Sequence, residues 1–88
     1  MMQVGQKYYI IAHAYHHYIG EVVDVNPRMV TLKNCIKVHS CQRNWTLFFK
    51  DGAASDTSYD VMPDGTEQPY DLGSFPWNHA IPKERPRR

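Results

Sequence analysis

An alternation of apolar and polar residues runs through the first half of the chain and predicts β-strands. Residues 7–13 are rich in β-branched and aromatic types and contain no breaker, and residues 18–25 alternate at Ile19, Val23 and Val25. We therefore expect two strands in close succession.

A turn signal and two further apolar stretches follow. Pro27 fixes φ and Asn26 favours turn conformations, so the chain is expected to reverse here. Residues 29–33 then alternate, and residues 36–39 resume the alternation after an interruption at residues 34–35. The pattern predicts a hairpin followed by a short fourth strand.

The period changes from that of a strand to that of a helix after Asn44, which suits an N-cap position. Trp45, Phe48 and Phe49 recur at i, i+3 and i+4, and Gly52 suits the position just beyond a helix. This segment predicts one short helix.

The remaining chain is mostly polar. Residues 53–72 contain many Ser, Asp, Gly and Pro, which predicts a long loop with a brief strand at residues 58–62. Residues 75–81 form the last apolar segment and are expected to supply a closing strand, while residues 83–88 are expected to form a basic flexible tail.

Together these elements predict a mainly β fold: a small SH3-like or OB-like barrel of four or five strands with one short helix. A chain of 88 residues supports one domain, at residues 1–82, with a thin core. Oligomerisation is a natural supplement to such a core, so we expect a homo-oligomer.

Charge and hydropathy narrow the choice of partners. The net charge is +1, and four of the ten basic residues lie in residues 83–88, so long-range attraction to duplex nucleic acid is weak. Neither an apolar run of about 18 residues nor a secretory signal is found. We expect a cytoplasmic protein without a membrane partner.

Five ring-bearing residues lie within residues 13–18, where the first predicted strand turns into the second. Successive side chains of a strand point to opposite faces, so the three consecutive rings at residues 15–17 cannot all point inward. We therefore predict a recognition surface in this segment. Arg43 precedes the helix start, where exposed amides favour an anion. The predicted ligand-binding residues are Tyr15, His16, His17, Tyr18, Arg43, Asn44, Trp45, Trp77 and His79.

A core role is the alternative for the large rings, because big aromatic side chains are usually buried. It applies to Tyr18, Trp45, Phe48, Phe49 and Trp77.

Metal binding and catalysis are not predicted. Several histidines and Cys41 are potential zinc ligands, but they lack the paired spacing of zinc motifs. Cys41 could pair with His39 or His79 as a nucleophilic thiol and its general base, but no sequence motif of a catalytic nucleophile surrounds Cys41. We expect neither a metal nor a cofactor, and no enzymatic activity.

The order of these motifs resembles a family of small phage accessory proteins with an SH3-like β-barrel. The resemblance rests on a Tyr-containing first strand, Gly-Glu-Val-Val at 20–23, Val-x-Leu-Lys-Asn at 30–34 and the helix at 45–52. Residues 40–43 and 77–82 occupy the places of a Thr-Gly-Arg segment and a Trp-x-His-x-x-Pro ending, although Gln42 stands where that family has Gly.

The resemblance implies an anti-defence protein that acts in the host-cell cytoplasm and is similar to nucleotide sponges of the anti-CBASS or anti-Thoeris type. We therefore expect a noncatalytic protein that binds and sequesters a cyclic dinucleotide or cyclic oligonucleotide immune signal. Bases would stack on the aromatic rings and Arg43 would hold phosphate. The alternatives are a protein-binding inhibitor of a host defence protein and a nucleic-acid-binding small barrel.

Overall fold

Six strands and one helix make up the part of the chain that the computed structural model describes, which is residues 2–12, 16–40, 45–52 and 57–81. In chain order the elements are β1 (Lys7–Ala12), β2 (His16–Val25), β3 (Met29–Ser40), α1 (Trp45–Asp51), β4 (Ser58–Val61), β5 (Thr66–Pro69) and β6 (Gly73–Pro76).

The strands form one antiparallel sheet in the order β4-β3-β2-β1-β6. β5 follows β4 along the same edge of β3, so that β3 pairs with β4 through its second half and with β5 through its first. Only residues 70–72 connect β5 to β6, which pairs at the opposite edge of the sheet. The sheet must therefore coil until its two edges approach each other.

The prediction of a mainly β fold with one short helix is confirmed, but the barrel is not closed. Within the described ranges, β6 pairs with β1 and does not pair with β4 or β5. The described residues contain six strands. Residues 29–33 and 36–39, predicted as two strands, belong to the single strand β3, whereas residues 53–72, predicted as a loop, contain β5 as well as the brief strand that the sequence indicated at β4. The predicted tail at residues 83–88 lies outside the described residues.

A β-bulge allows β3 to supply apolar side chains to both faces of the sheet. The register between β2 and β3 shifts beside Gly20, which lies opposite both Asn34 and Cys35. Asn34 has φ 52°, in the left-handed region that Asn tolerates better than most residues. A Cβ on Gly20 would lie 3.1 Å from the Cβ of Cys35, so the two strands approach closely at the bulge.

Two apolar clusters result, one on each face. The Ile10 cluster contains Met2, Ile10, Ala12, Tyr18, Val22, Val30, Leu32 and Cys35. The Phe48 cluster contains Tyr9, Ile19, Ile36, Val38, Phe48, Tyr59 and Trp77. The even-numbered apolar residues of β3 belong to the Ile10 cluster before the bulge and to the Phe48 cluster after it.

Helix α1 covers one face of the sheet through Phe48, which is fully buried. The ring centroid of Phe48 lies 5.8 Å from that of Tyr9 and 5.3 Å from that of Trp77. Gly52, with φ 87°, ends the helix as predicted, and its N–H donates to the carbonyl of Phe48 at 2.9 Å. In the described segments, no helix is long and apolar enough to cross a membrane.

Neighbouring phenylalanines on α1 provide a matched test of this packing. Phe48 is fully buried, whereas Phe49 is 40% exposed. We expect Phe48→Ala to lower the free energy of unfolding by about 3 to 5 kcal/mol. Phe49→Ala should lower it by about 1 to 2 kcal/mol, because much of its ring already lies in water. Urea denaturation of both variants measures the difference, and equal losses would contradict the placement of α1.

Candidate binding cleft

An apolar cleft of about 230 Å³ opens beside the end of β6 and is lined by Phe49, Phe75, Pro76 and Trp77. We call it the aromatic cleft. Phe75 is 47% exposed, its ring centroid lies 6.1 Å from that of Phe49, and Trp77 is buried beneath them. Large apolar side chains clustered at a surface concavity are typical of binding sites.

Tyr9 positions the rings of the cleft from below. It is fully buried, and it pairs with Phe75 across β1 and β6, so both side chains lie on the same face of the sheet. The Tyr9 ring centroid lies 4.8 Å from that of Phe49 and 5.7 Å from that of Trp77. The cleft thus lies directly over buried residues of the Phe48 cluster.

His17 supports Tyr9 from β2. The Tyr9 hydroxyl donates a hydrogen bond to Nδ1 of His17 when the imidazole is neutral, and the two rings meet edge to face with centroids 5.4 Å apart. Burial lowers the pKa of His17, and the neighbouring His16 lowers it further. Both effects favour the neutral ring that can accept the tyrosine proton.

His79 caps the end of helix α1. Its Nε2–H donates to the carbonyl of Phe49 at 3.1 Å, and its ring covers Gly52, where an added Cβ would lie 3.0 Å from the imidazole Cγ. The His79 ring also meets Trp77 edge to face, with centroids 5.1 Å apart. Lys7 holds the same segment, since its Nζ donates to the His79 carbonyl at 2.6 Å.

No protein-family model, curated protein or solved structure matches this chain. The resemblance to phage accessory proteins, and the anti-defence role that it implies, stay predictions.

The predicted ligand-binding residues are distributed over several environments. His16 is exposed at the start of β2, and Tyr18 belongs to the Ile10 cluster, where burial raises its pKa. Trp77 and His79 are brought together beside the aromatic cleft. Tyr15, Arg43, Asn44 and the side chain of Trp45 lie outside the described part of the chain. The binding roles of all nine residues stay predictions.

The core alternative is confirmed for three of the large rings and wrong for a fourth. Tyr18, Phe48 and Trp77 are buried, whereas Phe49 is partly exposed. Adjacent helix residues point about 100° apart, a signal that Phe48 and Phe49 are not buried equally. The sequence interpretation missed Phe75, which it assigned only to a closing strand, although the following Pro76 is typical of an edge strand.

The residues that line the aromatic cleft offer apolar contact surface. Cys35 lies in the Ile10 cluster, where burial, and secondly Asp64, raises its thiol pKa to about 12, so it is a poor nucleophile. His39 pairs with Asp60 at 2.7 Å on the exposed surface. In the described ranges, no three His, Cys, Asp or Glu side chains are grouped to hold a metal ion.

The lowered pKa of His17 makes stability depend on pH. Because the unfolded chain binds a proton at His17 more readily than the folded chain, its contribution to stability is fully present above about pH 6.5 and declines as the pH falls below that value. We expect the wild-type protein to lose more free energy of unfolding between pH 7.5 and pH 5 than His17→Gln, whose amide oxygen can still accept from Tyr9.

His16→Gln is the matched control, because His16 is exposed and is the smaller cause of the shift. It should keep most of the wild-type pH dependence in urea titrations at the two pH values. A pH dependence that is identical in wild type and His17→Gln would show that His17 is not buried in its neutral form.

Proposed function

We propose that the chain is a noncatalytic binding protein whose aromatic cleft receives apolar side chains of a partner protein. The observation that carries the proposal is the pair of partly exposed phenylalanines, Phe49 and Phe75, beside a buried tryptophan. Aromatic side chains fixed in a concave, apolar surface are typical anchors of protein interfaces. Tyr9 holds these rings in place before a partner arrives, which lowers the cost of ordering them.

The size and charge of the cleft support a protein partner more than a cyclic dinucleotide. Its volume of about 230 Å³ suits one or two side chains, whereas small-molecule sites typically enclose about 300 to 1,000 Å³. The lining residues are Phe, Pro and Trp, so they offer no cation to a phosphate. By the resemblance to phage proteins, such a partner would be a host defence protein.

The edge strand β6 favours a partner that binds through its side chains over one that adds a strand to the sheet. β6 lies at one end of the strand order, but it has only four residues and ends at Pro76, which has no N–H. A short edge strand that ends in proline is a poor template for a further strand. A partner is therefore expected to fill the cleft with side chains and not to extend the sheet.

A displayed library of random peptides tests the proposal without a known partner. We expect selection on the full chain to enrich peptides with aromatic or aliphatic anchors, and their affinity should fall about tenfold or more for Phe75→Ser, because a central anchor contact is lost. Phe49→Ser should act in the same direction. Affinities are measured by fluorescence polarisation with the selected peptides.

Leu72→Ser is the matched control, because Leu72 is 45% exposed but does not line the cleft. It should leave peptide affinity unchanged. The proposal fails if no peptide is enriched, or if enriched peptides bind Phe75→Ser and wild type equally.

Sequestration of a cyclic nucleotide is the second candidate, and Lys7 is the observation that favours it. The partly buried Lys7 ammonium donates to the carbonyl of His79, and no described carboxylate pairs with it. Lys7 has no counter-ion among the described residues and lies beside the segment that supplies Trp77, so its ammonium offers a phosphate the positive partner that the cleft lining lacks. The sequence interpretation assigned no role to Lys7.

Thermal-shift measurements with cyclic dinucleotides and trinucleotides test this second candidate. A ligand present at 100 times its dissociation constant adds about 2.7 kcal/mol to stability, which raises the Tm of a small domain clearly. The shift should be lost in Lys7→Gln and retained in Lys50→Gln, a control with the same charge change at an exposed position of α1. No shift with any of these nucleotides would reject sequestration.

A further inference from the structure

We propose a second binding site, separate from the aromatic cleft, for a small aromatic ligand that carries an anionic group. An open groove of about 550 Å³ lies between the β2–β3 turn and the end of β5. Its lining residues are Pro27, Arg28, Met29, Pro69, Tyr70 and Asp71. We call it the turn groove, and it shares no lining residue with the aromatic cleft.

Hydrogen bonds fix the first wall of the turn groove. Oδ1 of Asn26 accepts from the backbone N–H of Arg28 at 2.9 Å and of Met29 at 2.8 Å, and the N–H of Asn26 donates to the Met29 carbonyl at 2.9 Å. Pro27 adds a fixed φ. The turn therefore has little freedom to lose when a ligand binds.

The second wall is joined to the first. Met29 pairs with Pro69 in the ladder between β3 and β5, and the Tyr70 hydroxyl donates to the carbonyl of Asn26. Tyr70 also packs against the Ile10 cluster. An adjoining pocket of about 200 Å³, lined in part by Pro27 and Tyr70, extends the groove toward Val25.

Two opposite charges line the groove without neutralising each other. Arg28 and Asp71 are both exposed, and among the described residues neither the guanidinium nor the carboxylate has a hydrogen-bond or ion-pair partner. A guanidinium binds a carboxylate or a phosphate through two parallel hydrogen bonds. Asp71 can accept from an amino or hydroxyl group on the same ligand.

The apolar residues of the lining determine what kind of uncharged group the ligand carries. Two prolines, Met29 and the ring of Tyr70 form an apolar surface that suits a flat ring. The volume lies within the usual range for small-molecule sites, and such sites combine apolar walls with a few polar groups. A free aromatic amino acid and a nucleoside monophosphate share this chemistry: a flat body, an anion for Arg28 and a donor for Asp71.

NMR titration of the full-length chain with tryptophan and with adenosine monophosphate tests the site. We expect at least one of them to bind with a Kd below about 1 mM, with amide shifts concentrated at residues 25–29 and 69–71. Tryptamine and adenosine, which lack the anion, should bind about tenfold more weakly or worse. Binding of tryptophan alone assigns a carboxylate ligand, and binding of the monophosphate alone assigns a phosphate ligand.

Variants connect binding to the two charges. Arg28→Gln should weaken binding of the anion about tenfold or more, and Arg28→Lys should restore part of it, because a point charge remains without the fork. Asp71→Asn, which leaves the β2–β3 turn intact, should also weaken binding. Lys50→Gln is the control for a lost positive charge elsewhere and should bind as wild type does.

The inference is overturned if neither ligand binds below about 1 mM, if the shifts concentrate at Phe49 and residues 75–77, or if Arg28→Gln binds as wild type does. Phe75→Ser separates this result from the proposed function. It should weaken peptide binding at the aromatic cleft about tenfold or more and leave titrations of the turn groove unchanged, so either site can fail alone.

Discussion

The bulge at Gly20 and Asn34 is the constraint on which the remaining structure depends. It keeps β2 and β3 paired while it reverses which positions of β3 point to each face. As a result, one long strand contributes to both apolar clusters. A chain of this length buries a smaller share of its surface than a large domain does, so apolar side chains from one strand on both faces add to a thin core.

The aromatic cleft follows from how the second face is covered. Helix α1 is only seven residues long. It buries Phe48 against the sheet and leaves the next residue, Phe49, partly exposed at the edge of the covered face. Phe75 lies on the edge strand β6, where no further strand covers it among the described residues. The cleft therefore forms where a short helix meets a sheet edge, and Tyr9 and His17 hold its rings from beneath.

The pattern of apolar and polar residues predicted the helix and most of the strands. The continuity of β3 and the presence of β5 depend on pairing between distant strands. The interruption at Asn34 and Cys35 is visible in the sequence, but it marks a bulge within β3 and not the end of a strand. β5 is polar and was predicted as loop, because an edge strand is held by backbone hydrogen bonds that leave little trace in side-chain pattern. The turn groove unites Arg28 with Tyr70 only through the β3–β5 register, which spacing along the chain does not reveal.

Nuclear Overhauser contacts of the β3 methyl groups test the central claim most directly, since they report which β3 side chains share a face. The account predicts that the Leu32 methyls contact those of Val22 and that the Ile36 methyls contact those of Ile19, their partners across β2 and β3, with no contact from Ile36 to the Tyr18 ring. If the Ile36 methyls contact the Tyr18 ring, β3 alternates without a bulge. The two-cluster core, and the cleft built on it, would then be contradicted.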